Sequence, residues 1–129
     1  MSAYTHRVLY GDCDPMQIVY YANYLRFFEG ARNHWTHERG YPYVEIEKSG
    51  FKLPVIEAHV GYRAPARYDD VVEVPVKMSR HRARIRFDYE VRRVGEPLLL
   101  AEGWTIHVLV DAGQRPVRPP AWLMEKLGL

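Results

Sequence analysis

Large apolar residues recur at helical spacing along one extended stretch of the chain. Tyr20, Tyr24, Phe27, Phe28, Ala31 and Trp35 stand at i, i+4, i+7, i+8, i+11 and i+15. Arg39 and Gly40 follow as a basic last turn and a stop. The spacing predicts one long helix over 20–38 with a wide apolar face. Such a face must be buried, and the rest of the chain decides against what.

The rest reads mostly as strand. Residues 4–10 form a first strand that runs into the turn-rich Gly11-Asp12-Cys13-Asp14-Pro15. Residues 41–53 are irregular, with a short helical turn at Tyr43 to Lys48. Pro54 to Tyr62 is a second strand, and alternation around Val72, Val74, Val76 and Met78 marks a third. Ile85, Phe87, Tyr89 and Val91 alternate with Arg84, Arg86, Asp88, Glu90 and Arg92, the cleanest period of two in the chain. After a turn at Gly95-Glu96-Pro97, residues 98–110 form a long last strand, and Pro119-Pro120 precedes a short helix over 121–127. The order is strand, long helix, then four strands in hairpin succession. Five antiparallel strands offer one apolar face that one helix can cover. The expected class is therefore α+β, with a curved five-stranded antiparallel sheet wrapped around the helix.

A chain of 129 residues supports one core, so a single domain over 1–129 is expected. Its 47% hydrophobic and 26% charged residues are those of an ordinary globular chain. No apolar run reaches the length of a membrane span, and the first residues hold no apolar signal core. The expected address is the cytoplasm. Cys13 is the sole cysteine, which excludes an internal disulfide and a multi-cysteine metal site. The net charge of +2 does not point to nucleic acid. Ser2, Ser49 and Ser79 lie in no G-x-S-x-G motif, and neither a P-loop nor G-x-G-x-x-G is present. His34 and His37 read as polar helix positions rather than as half of a zinc site.

The segment Gly11-Asp12-Cys13-Asp14-Pro15-Met16-Gln17-Ile18-Val19-Tyr20-Tyr21-Ala22-Asn23-Tyr24 resembles the signature of hotdog-fold acyl-CoA thioesterases, specifically the 4-hydroxybenzoyl-CoA thioesterase group. The likeness continues through Leu53-Pro54-Val55, Tyr68-Asp69-Asp70-Val71 and the basic turn near Arg80. The resemblance implies the hotdog fold and hydrolysis of an acyl-CoA thioester to a carboxylic acid and coenzyme A, with no separate cofactor. It implies catalysis by Asp14 and polarisation of the thioester carbonyl by the backbone N–H of Tyr21. It implies contacts from Arg80, His81 and Arg82 to the nucleotide phosphates. Beside it, Gln17 reads as a contact to the acyl group or a water, or as a plain turn residue, and Val19, Tyr20 and Tyr24 near the helix start read as candidates for lining the acyl pocket. It also implies a homodimer or homotetramer with sites at the seam between chains. Gln17 departs from the family, which usually carries Gly there. A hotdog dehydratase and a non-catalytic acyl-thioester binding module are the alternatives; the motif holds no His, as a dehydratase would require.

The chemistry is sound on elementary grounds. A thioester carbonyl gains negative charge under attack, and a helix N-terminus presents unpaired N–H groups with a partial positive charge. One such donor is worth roughly 3–4 kcal/mol. A nearby carboxylate can attack the carbonyl or activate a water, and spacing does not choose between these routes. The bland reading of Asp14 is a loop residue closing an Asx-turn. Asp12 reads as a structural turn residue. Cys13, between two carboxylates, should hold its proton. Arg84 and Arg86 read as a solvated strand face, while Arg80, His81 and Arg82 at a turn suit a polyanion such as coenzyme A.

Overall fold

The computed structural model describes residues 2–129. Strand β1 (Tyr4–Arg7) is followed by a single 3-10 turn at Tyr10–Asp12, and helix α1 spans Asn23–Glu38. Then come α2 (Tyr43–Lys48), β2 (Val55–Tyr62), β3 (Val71–Val74), β4 (Val76–His81) and β5 (Arg84–Arg93). Strand β6 (Leu99–Val110), the two-residue β7 (Pro116–Val117) and α3 (Ala121–Lys126) complete the chain. The sheet runs β1-β3-β5-β6-β2, with β4 also on β5 and β7 on the end of β6. All pairs are antiparallel. Strands β3 and β4 are one path broken at Pro75, whose missing N–H interrupts the ladder. The expected five-stranded sheet curled around one long helix is therefore what forms.

Three details differ from expectation. The four later strands are not in hairpin succession: β2 pairs with β6, not with β3. Most of β2 is exposed, so it has little apolar surface to hold it inside the sheet and takes an edge. Residues 63–70 then cross from that edge to β3, and they pass the entry to α1, where Val19 N donates to Ala66 O at 2.9 Å. Second, α1 begins at Asn23 rather than at residue 20, because Tyr20 to Ala22 form a turn in which Asn23 N donates to Tyr20 O. Third, β1 stops at Arg7, where the chain curls into the Tyr10–Asp12 turn.

The helix face that drives the fold is buried as its spacing requires. Tyr24, Phe27, Phe28, Ala31 and Trp35 pack on inward residues of the sheet that include Val72, Val74, Ile85, Phe87, Tyr89 and Val91. Burying each large side chain is worth about 1.5–3 kcal/mol. Phe28 stacks on Tyr89 with ring centroids 4.1 Å apart and planes 3° from parallel. That contact needs Gly103 beneath it: a Cβ there would lie 2.8 Å from the Phe28 ring and 2.1 Å from His59 O. Among the described residues no helix is long and apolar enough to cross a membrane.

A polar chain threads this apolar layer. Arg32 Nη1 lies 3.1 Å from the Tyr89 hydroxyl, which is 2.6 Å from Thr105 Oγ1. Thr105 Oγ1 is 2.8 Å from His107 Nε2, and His107 Nδ1 is 3.0 Å from Leu53 O. A carbonyl only accepts, so Nδ1 carries the proton and Nε2 accepts from Thr105. Thr105 must then accept from Tyr89, and Tyr89 accepts from Arg32. Protonating His107 makes both ring nitrogens donors, which takes away the acceptor of the Thr105 proton. Burial, first, holds the imidazole pKa down at about 4; the Arg32 charge adds to this, against the bond to Leu53 O.

A depressed folded-state pKa stabilises the fold above the unfolded value of 6.5 and loses that contribution as pH falls to 4 and below. From this residue alone, stability should drop by about 3 kcal/mol between pH 7 and pH 4. In His107→Gln the amide can donate to Leu53 O and accept from Thr105 without titrating. Urea unfolding at the two pH values should show the drop shrinking by about that amount in the variant. An equal drop in both proteins would place the acid sensitivity elsewhere.

Candidate functional site

The loop ahead of α1 is a tight turn closed by its own backbone. Cys13 and Val19 form a bridge, Asp14 N donates to Ile18 O at 2.9 Å, and Gln17 N donates to Asp14 O at 2.8 Å. Met16 N donates to Asp14 Oδ1 at 2.8 Å, so Asp14 does close an Asx-turn. That bond takes one oxygen; among the described residues Oδ2 has no hydrogen-bond partner. Asp14 is half-buried and Gln17 exposed. The turn requires φ of 65° at Gln17, the left-handed region that costs an L-residue about 1–2 kcal/mol and a glycine little. This is the physical meaning of the glycine usual at that place.

Asp12 pins this turn to the body. Its buried carboxylate takes the Leu9 N–H and His6 Nε2, both at 2.8 Å. Its carbonyl takes Tyr20 N and Asn23 Nδ2, both at 2.9 Å. His6 in turn packs on Phe27, with ring centroids 4.7 Å apart. Asn23 thus makes two ties: its side chain holds the Asp12 carbonyl, and its backbone N–H holds Tyr20 O. The second tie orients the peptide unit whose N–H belongs to Tyr21. Among the described residues no protein acceptor takes that N–H. Tyr62, at the end of β2, donates its hydroxyl to Tyr21 O at 2.9 Å and stands edge-on to the Tyr21 ring.

The residues singled out in the sequence fall into separate places. Asp14, Gln17, Tyr20 and Tyr21 share this loop, and the last three are exposed. Val19 is buried, as is Tyr24, whose hydroxyl accepts from Ala66 N at 3.3 Å and so clamps the 63–70 crossover. The Cys13 thiol is pushed up, by burial first and then by Asp12, Asp14 and Asp70. Arg80, His81 and Arg82 lie at the turn between β4 and β5, where Arg82 has a φ of 57° and Arg80 Nε donates to Arg82 O at 2.8 Å. Strand β5 leads away from that turn and ends at Arg93, which donates to Asp70 and Pro65 in the crossover. Ten strand residues span about 30 Å, so one chain does not bring its basic turn to its Asp14 loop. Arg84 pairs with Glu57 at 3.9 Å and Arg86 with Asp88 at 3.1 Å, as a solvated face would.

A cavity of about 700 Å³ runs along α1. It reaches the loop through Gly11 and Asp12, two residues short of Asp14, and none of the site residues singled out in the sequence lines it. Its walls include Phe27, Trp35, Ile46 and Phe87, with Arg32 and His107 among the polar groups. Asn23 stood within the recognised motif without a role, whereas Tyr62, Arg32 and His107 carry no local pattern that marks them. Among the described residues no cluster of three or more His, Cys, Asp or Glu could hold a metal ion.

Residues 8–127 match the model of the thioesterase-like superfamily. An acyl-CoA thioester hydrolase of Escherichia coli is 30% identical over 105 residues, 81% of this chain and 78% of that protein. The crystal structure of a 1,4-dihydroxy-2-naphthoyl-CoA thioesterase from Synechocystis superposes with a TM-score of 0.88 at 26% identity, covering 99% of this chain and 96% of that one. A crystal structure from Thermus thermophilus superposes with a TM-score of 0.89 at 34% identity, covering 98% and 97%.

The strain at Gln17 is measurable. Gln17→Gly should stabilise the protein by about 0.5–1 kcal/mol, and Gln17→Val should destabilise it by at least as much. Chemical unfolding of the three proteins checks the order; a glycine variant less stable than the valine variant would contradict the left-handed turn.

Proposed function

Because the chain belongs to the thioesterase-like superfamily, we propose that it hydrolyses acyl-CoA thioesters to the carboxylic acid and free coenzyme A. The observation that carries the reading is the loop itself: a carboxylate with one uncommitted oxygen and an unengaged N–H at the entry of a sixteen-residue helix. In this scheme the thioester carbonyl oxygen accepts from Tyr21 N–H, aided by the positive end of α1. Asp14 takes a proton from water as the water oxygen bonds to the acyl carbon. Collapse of the oxyanion breaks the C–S bond and releases thiolate, a leaving group that needs no strong acid. If Asp14 attacks directly, an anhydride forms first and water then cleaves it. Single turnover in ¹⁸O-water, with mass analysis of the Asp14 peptide, separates the two routes. Coenzyme A enters as part of the substrate, and the scheme calls for no cofactor. A cytoplasmic address suits a coenzyme A ester and a free Cys13 thiol.

The site is completed by a second copy. Along β2, Val55 lies opposite His107 and Tyr62 opposite Ala101. The Val55 end therefore sits on the side of the basic turn, where Arg84 meets Glu57, and the Tyr62 end sits at the Asp14 loop. Antiparallel pairing of two β2 edges about a two-fold axis sets the Tyr62 end of one copy beside the Val55 end of the other. That brings the partner's basic turn toward the loop its own chain keeps it from. It closes an exposed edge as well. Arg80, His81 and Arg82 then hold the nucleotide phosphates at the surface of a dimer, or of a tetramer made from two dimers.

Release of free thiol from a panel of aromatic, short and long acyl-CoA esters tests the activity; no release from any of them would leave a binding module. Asp14→Asn should lose at least 100-fold in turnover while staying folded and binding a non-hydrolysable analogue. Near wild-type turnover would remove Asp14 from the scheme. Replacing Arg80 and Arg82 together by Ala should raise KM for coenzyme A esters about tenfold and leave pantetheine esters within twofold. Equal effects on both esters would contradict phosphate contact.

A further inference from the structure

We infer that the cavity along α1 selects acyl groups that carry a carboxylate of their own, and that Arg32 is the residue that reads it. The inference rests on the thioesterase reading, with this cavity as the chamber for the acyl group. Arg32 is half-buried and lines the cavity. Of its five N–H donors, one is committed, to the Tyr89 hydroxyl. Among the described residues no carboxylate lies within ion-pair distance of it. A partly desolvated cation without an anion is costly, and a ligand that supplies one recovers that cost.

The guanidinium is also aimed. The proton of Tyr89 is committed to Thr105, that of Thr105 to His107, and that of His107 to Leu53 O. Tyr89 can therefore only accept, and it holds Arg32 by one corner while the other N–H groups stay open. A planar fork held in this way suits the two oxygens of a carboxylate. The remaining charges of the lining leave room for an anion. Asp12 gives one oxygen to His6 and the Leu9 N–H, and neither it nor the exposed Glu29 pairs with Arg32 among the described residues. Phe27, Trp35, Ile46 and Phe87 give the cavity apolar walls, and about 700 Å³ accommodates a short diacid chain or a carboxylated ring.

The test pairs glutaryl-CoA with its neutral counterpart of equal length, pentanoyl-CoA. Wild-type kcat/KM should favour glutaryl-CoA at least tenfold. Arg32→Gln should lose at least tenfold on glutaryl-CoA and stay within twofold on pentanoyl-CoA. Equal or better use of pentanoyl-CoA by the wild type, or an equal loss on both esters, overturns the inference and leaves the thioesterase reading standing. If neither ester is cleaved but another of the panel is, the inference fails and the thioesterase reading stands; if none of the panel is cleaved, the hydrolysis reading fails instead, and calorimetric titration of glutarate into the two proteins decides about Arg32. Heat seen with the wild type and lost in the variant supports the site; no heat with the wild type sinks it. Should Arg32→Gln fail to fold, Arg32→Lys keeps the charge and loses the fork. A glutaryl preference cut three- to tenfold supports the assignment, and an unchanged preference overturns it.

Discussion

A single helix laid into a curled sheet can bury only one of its sides, and most of what matters in this protein follows from that limit. The side taken by the sheet is Tyr24, Phe27, Phe28, Ala31 and Trp35, and its closest fit is Phe28 on Tyr89 above the bare backbone of Gly103. The side left over carries Arg26, Glu29 and Arg32 and borders the cavity. The first turn of the helix cannot be packed away either, since its entry is where the chain arrives from the Asp14 turn and where the crossover from β2 to β3 passes. Core, cavity and Asp14 loop are thus three aspects of one buried stripe.

The Asp14 loop owes its shape to Asp12. Asp12 spends its carboxylate on Leu9 and His6 and its carbonyl on Tyr20 and Asn23, so four groups from β1, the turn and α1 converge on it. Both bonds to the Asp12 carboxylate fall on one oxygen, and Asp14, two residues on, gives one of its own only to Met16 N. Two acidic residues with one residue between them are told apart by what they bind: Asp12 ties β1, the turn and α1 together, and Asp14 closes only its own Asx-turn. The same principle runs through the core, where one carbonyl, that of Leu53, dictates the direction of every donor back to Arg32.

Periodicity made much of this legible. The stripe from Tyr24 to Trp35 and the alternation of Ile85, Phe87, Tyr89 and Val91 are both buried as their spacing requires, because each pattern reports which side of its own element is apolar. Periodicity is silent on partners, and so the pairing of β2 with β6 was missed. It is equally silent on whether a helix starts at Tyr20 or Asn23, which a turn of three backbone bonds decides. The motif placed Asp14, Gln17 and Tyr21 on one loop, yet Arg80 to Arg82 stand a strand's length away, since linear order says nothing about distance across a sheet. Arg32, Tyr89, Thr105 and His107 come from three elements and look unrelated until the sheet closes over α1.

The strand that carries Tyr62 finds its ladder partner only in β6, so it pairs across a long stretch of intervening chain. On a ribosome, β2 would emerge early and wait with both margins bare until residue 110 had been made. Non-local closure of this kind is slow. During that interval the segment is open to capture by identical nascent chains, and a pause in translation between β3 and β6 would prolong the exposure. The geometry that frames the Asp14 loop is therefore among the last to be assembled.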